Sequence, residues 1–117
     1  MIKIGYCSNV TIYVRAEEKI LNQIIKGAII ANYDYKPNFS KIGKNSSGDK
    51  VLLVEYDGYK WYEGYSLPIY WENVFNKLEA DDYLFTRQGE DWDDIEIDGC
   101  YGEAYPISSI EIDVDFE

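Results

Sequence analysis

No run of apolar residues in this chain extends beyond four positions, the longest being Ala28 to Ala31 and Val51 to Val54. A membrane-crossing helix needs about 20 such residues. The chain must therefore build its core from short strands and amphipathic helices whose apolar faces meet. With 117 residues, 46% of them hydrophobic, there is material for one core but not two, so a single domain over residues 1–117 is expected.

Periodicity divides the chain into elements. Ile2 to Tyr6 and Val10 to Val14 alternate, with Cys7-Ser8-Asn9 between them, and read as a hairpin. Ile20, Leu21, Ile24, Ile25, Ala28 and Ile29 fall on one face of a helix from Glu17 to about Asn32, in which Gly27 implies close packing. Tyr33 to Lys50 has the composition of a loop, with Phe39 expected to tuck into the core and pin it. Val51 to Tyr56 and Tyr59 to Tyr65 flank Asp57-Gly58, the favoured two-residue turn of a hairpin. Ser66 then caps a helix that has Pro68 in its first turn and runs to about Glu79, burying Leu67, Tyr70, Trp71, Val74, Phe75 and Leu78. Tyr83 to Arg87, Asp94 to Asp98 and Ser109 to Phe116 read as strands. The expected order is ββ-α-ββ-α-βββ, an α+β domain with two helices on a mostly antiparallel sheet.

Charge is divided unevenly along this order. Residues 1–50 hold eight basic and four acidic side chains, a net of +4, whereas residues 51–117 hold three and eighteen, a net of −15. From Gln88 onward there are eleven acids and no base. Such asymmetry points to a partner rather than to a requirement of folding. Phosphates would be repelled, so direct nucleic-acid binding is not expected, and a basic protein surface is the natural complement.

The acids are also patterned. Glu111, Asp113, Asp115 and Glu117 alternate with Ile110, Ile112, Val114 and Phe116, and Asp94, Glu96 and Asp98 alternate with Ile95 and Ile97. On a strand, the apolar set faces the core and the carboxylates face outward, repeating about every 6.6–6.8 Å. Such rows serve as a solvated face that protects an edge, or as an interface that copies the charge pattern of a nucleic-acid backbone. Asp94-x-Glu96-x-Asp98-Gly99 also has the opening rhythm of a calcium loop, but Tyr105 stands where a bidentate Glu is needed, so no metal site is expected. Trp92, between Asp91 and Asp93 in a turn, is the candidate anchor of an interface; the alternative is a tryptophan folded inward over the core.

Catalysis finds little support. The chain has no histidine, which removes the residue most used near neutral pH for acid–base work and a common metal ligand. No P-loop or dinucleotide-binding glycine motif is present. Cys7 and Cys100 have no cationic neighbour in sequence and are too few for a disulfide framework, which fits a reduced, cytoplasmic setting. Seven aromatic residues between Tyr56 and Trp71 lie among acids rather than lysines, which suits core packing and interface anchors better than stacking on bases.

The expected function is thus binding, with neither cofactor nor catalysis. By analogy of size and charge alone, the class is that of small acidic inhibitors: nucleic-acid mimics that block restriction or CRISPR enzymes, and immunity proteins that block nucleases. The expected partner-binding residues are Asp91, Trp92, Asp93, Asp94, Glu96, Asp98, Glu111, Asp113, Asp115 and Glu117. The alternatives are a homo-oligomer that docks the basic segment Lys36 to Lys50 on the acidic face of a second copy, and, last, a small enzyme or carrier using an aromatic pocket.

Overall fold

Val10, Ile12 and Val14 alternate with Thr11, Tyr13 and Arg15, and they form the centre of strand β1 (Ser8–Arg15) in a computed structural model that describes residues 6–101 and the strand at Val114–Asp115. Helix α1 (Glu18–Ala31) follows, then β2 (Phe39–Asn45), β3 (Lys50–Tyr59) and α2 (Ser66–Phe75). A 3-10 turn at Ala80–Asp82 leads to β4 (Tyr83–Gln88), β5 (Ile95–Gly99) and the two-residue β6 (Val114–Asp115). All described pairings are antiparallel and join one sheet in the order β5-β4-β1-β3-β2-β6. The protein is an α+β domain with two helices packed on an antiparallel sheet, as the periodicity predicts.

The main core lies between the helices and one sheet face. Leu21, Ile24 and Ala28 of α1 and Leu67, Trp71 and Phe75 of α2 meet Val10, Ile12, Val14, Leu52, Val54, Tyr56 and Phe85. Burying each larger side chain stabilises the fold by about 1.5–3 kcal/mol. Trp71 and Tyr56 are fully buried, and the indole N–H of Trp71 donates to the Tyr56 hydroxyl at 3.2 Å, so neither polar tip is left unpaired. A smaller cluster of Tyr13, Val51, Leu53, Leu84 and Tyr101 occupies the opposite face.

Gly27 marks a close approach, as expected. The Tyr70 hydroxyl donates to the Ile24 carbonyl at 2.5 Å, and a Cβ on Gly27 would collide with the Tyr70 hydroxyl oxygen.

Several local expectations fail for identifiable reasons. Asp57-Gly58 does not turn a hairpin. Gly58 has φ of +64°, but the positive φ serves a bulge in β3, where the pairing shifts between Ser8 opposite Tyr59 and Val10 opposite Tyr56. Side chains from elsewhere hold this bulge: Asn9 accepts from the Gly58 N–H and Asn38 from the Asp57 N–H, both at 2.8 Å. Tyr59 to Tyr65 is accordingly not a paired strand, and 60–65 is a loop. The real hairpin lies one strand earlier. Asn45 closes its tip by accepting from Ser47 and Asp49, so the segment expected as a loop contains β2.

Phe39 opens β2 and is 41% exposed rather than tucked inward. Ser8 and Asn9 belong to β1 and not to a turn, while the proposed first strand, 2–6, lies almost wholly outside the described residues. Helix α2 ends at Phe75, four residues early, and its N-cap position is Tyr65 rather than Ser66. Ile20 is 42% exposed and does not join the buried stripe of α1.

Candidate functional site

The two groups of alternating acids are expected as outward-facing rows of one interface, and the sheet order sets β5 and β6 apart. β5 is one edge of the sheet and β6 the other, five strand spacings apart, or about 24 Å. Asp115 therefore does not share a row with Asp94, Glu96 and Asp98, and among the described residues no two acidic strands are adjacent. Glu111, Asp113 and Glu117 lie outside the described residues.

The facing of β5 also differs from expectation. Ile95 and Ile97 are 47% and 42% exposed, because β5 is an edge strand beyond the main core. They share a face with Gln88 and Thr86, whereas Glu96 and Asp98 pair opposite Arg87 and Phe85 on the helix side. Glu96 accepts from Arg87 Nε at 3.0 Å, and Asp98 accepts from the Tyr83 hydroxyl at 3.1 Å.

The β4–β5 turn carries the exposed acids Glu90, Asp91 and Asp93, and it is tightly braced. Arg87 donates through Nη2 to Asp94 Oδ1 at 2.7 Å and through Nη1 to Oδ2 at 3.1 Å. Tyr6 donates to the same carboxylate at 2.6 Å, and Arg87 also reaches Ser8 Oγ at 3.0 Å. These contacts hold the Asp94 carboxyl down at about 2, first through Arg87 and then through Tyr6, and hold the guanidinium above its ordinary range. The turn backbone is closed by Gly89 N–H to the Asp94 carbonyl at 2.8 Å and by Asp94 N–H to the Asp91 carbonyl at 3.0 Å. The Gln88 amide donates to the Asp91 carbonyl at 3.0 Å.

Trp92 rides on this braced turn at 86% exposure, between the exposed side chains of Asp91 and Asp93. Of the two positions open to it from the sequence, inward over the core or outward into solvent, the structure has the second. An exposed indole on a rigid support loses little conformational entropy when a partner covers it.

Beside the turn, on the helix side, is an open groove of about 1180 Å³ between the 60–65 loop, α2 and the β4–β5 edge. Trp61, Tyr62, Tyr65 and Phe85 supply rings, and Glu63, Glu72, Glu96 and Asp98 supply carboxylates. Trp61 is fixed by Phe85 at 5.8 Å and Tyr59 at 5.6 Å, and Tyr62 meets Tyr65 edge-on at 5.1 Å. The crowding of aromatics was visible in the sequence. Their meeting with the acids of β5 was not, since it depends on the crossover from β3 through α2 to β4.

Arg87 was the residue sequence reasoning missed. Its signal was its position as the last base of the chain, immediately before the acidic stretch. Cys100 donates its thiol to Asp81 at 3.0 Å, which pushes the thiol pKa up and leaves it less prone to ionise. Among the described residues no cluster of three or more potential metal ligands occurs, and no helix is long and apolar enough to cross a membrane. Compared with protein-family models, curated proteins and solved structures, the chain matches none.

Proposed function

We propose that this protein acts by binding a basic protein, with the β4–β5 turn as its contact surface and Trp92 as the anchor. The observation that carries this reading is an indole at 86% exposure on a turn braced by Arg87, Asp94, Tyr6 and Gln88. Exposed tryptophans on rigid supports are the usual energetic centres of interfaces. Glu90, Asp91 and Asp93 flank it in the same turn, Glu96 and Asp98 follow on β5, and no base follows Arg87 in the chain. Such a surface suits a groove that ordinarily holds nucleic acid, and makes the protein a stoichiometric inhibitor of the nucleic-acid mimic or nuclease-immunity kind. Association should be fast and weakened by salt, since steering by exposed charge is screened.

The test is competition. Tagged protein should recover a basic nucleic-acid-binding protein in fixed ratio at low salt, and that protein should release its nucleic acid as this chain is added. Recovery of no basic protein, or of one whose nucleic acid stays bound, contradicts the proposal.

A second reading is self-assembly, in which the segment Lys36 to Lys50 of one copy docks on the acidic β5 edge of another to give a homo-oligomer. Sedimentation decides it: a monomer at every ionic strength excludes self-assembly, and association that grows as salt is removed supports it.

A further inference from the structure

The groove beside the turn has a composition that selects for one kind of ligand. Four carboxylates, Glu63, Glu72, Glu96 and Asp98, face two bases, Lys60 and Arg87, a net of −2. The charge of Arg87 is already taken by Asp94 and Glu96. Glu63 and Glu72 are exposed, and neither forms an ion pair with another described residue. The rings of Trp61 and Tyr65 line the same groove, the first packed against Tyr59 and Phe85.

We propose that this groove binds a guanidinium group, namely an arginine side chain of the basic partner; the identity of the bearer rests on the function proposed above. A guanidinium is planar and weakly hydrated, so it stacks on an aromatic face while its edge N–H groups reach carboxylates. A neutral group of the same shape keeps the stacking but leaves the acids uncompensated. An anion is repelled by the same carboxylates. The groove and Trp92 then form two neighbouring subsites, one for a cationic side chain and one for an apolar surface.

The experiment is a titration of the full chain with N-acetyl-arginine amide, followed through backbone amide resonances. Saturable shifts are expected at 61–65, at Glu72 and at Glu96 to Asp98. N-acetyl-citrulline amide, isosteric but uncharged, should produce none at the same concentrations. In the double variant Glu63→Gln, Glu72→Gln, whose sites are exposed, the dissociation constant should rise about fivefold or more. Equal shifts from both amides, or no saturable shift from the arginine amide, overturns the proposal. If the arginine amide fails to bind while a basic partner is still captured through Trp92, only the guanidinium site falls. If the amide binds and no basic partner is captured, the groove stands and the proposed function falls.

Discussion

Arg87 grips Asp94 with two separate nitrogens, at 2.7 and 3.1 Å, and so ties β4 to the turn that follows it. This pair turns an acidic loop into a rigid platform. It neutralises the one carboxylate at the base of the turn and leaves Asp91 and Asp93 exposed on either side of Trp92.

Removing that charge should loosen the platform. Asp94→Asn should cost about 1 kcal/mol in chemical denaturation, a figure kept low because the carboxylate is about one-third exposed. The folded-state pKa of about 2 lies below the ordinary carboxylate value near 4. The contribution of Asp94 is therefore complete above about pH 4 and is lost as pH falls toward 2. The wild type should lose stability across that window more steeply than Asp94→Asn; parallel acid limbs would contradict the assignment.

The Trp71–Tyr56 pair supports a second expectation. Tyr56→Phe leaves a buried indole N–H without its acceptor and should cost about 1–3 kcal/mol. Burial also pushes the Tyr56 hydroxyl up to about 12. An unfolded tyrosine ionises near 10, so the stability tied to neutral Tyr56 is intact below about pH 10 and fades as pH rises toward 12. Spectrophotometric titration should show one fewer high-pH tyrosine in Tyr56→Phe than in the wild type, since other tyrosines are raised as well.

Gly27 offers a test in which packing opposes propensity. Ala in place of Gly ordinarily stabilises a helix interior by about 1 kcal/mol. Here the new methyl collides with the Tyr70 hydroxyl and should break its bond to the Ile24 carbonyl. Gly27→Ala should therefore lower thermal stability, and Tyr70→Phe should recover little, because the ring carbons stand 2.9 Å away. A stabilised Gly27→Ala would show that α1 and α2 sit further apart than described.

Much of the architecture was legible in the sequence because local periodicity and burial agree there. Val10, Ile12 and Val14 alternate and are buried, and Leu21, Ile24 and Ala28 recur at helical spacing and are buried. What was not legible depended on distant residues. Asp57-Gly58 has the chemistry of a hairpin turn, yet Asn9 and Asn38 draw it into a bulge. Ile95 and Ile97 alternate as a half-buried strand should, but β5 falls at an edge beyond the core, and alternation carries no information about strand order. The acids of β5 and Asp115 look alike in sequence and lie on opposite edges for the same reason. The turn residues Asp91, Trp92 and Asp93 were identifiable from composition; the bracing by Arg87 and Tyr6 spans up to 88 residues of chain and was not.

The measurement that bears most directly on the central claim is partner capture by the wild type beside two variants, Trp92→Ala and the pair Asp91→Asn, Asp93→Asn. These side chains are exposed, and capture is compared only among proteins whose unfolding lies within about 0.5 kcal/mol of the wild type. Trp92→Ala should abolish recovery of the basic partner at any salt, and the Asn pair should weaken it chiefly at low salt. A partner recovered equally by all three folded proteins would place the interface elsewhere and contradict the account.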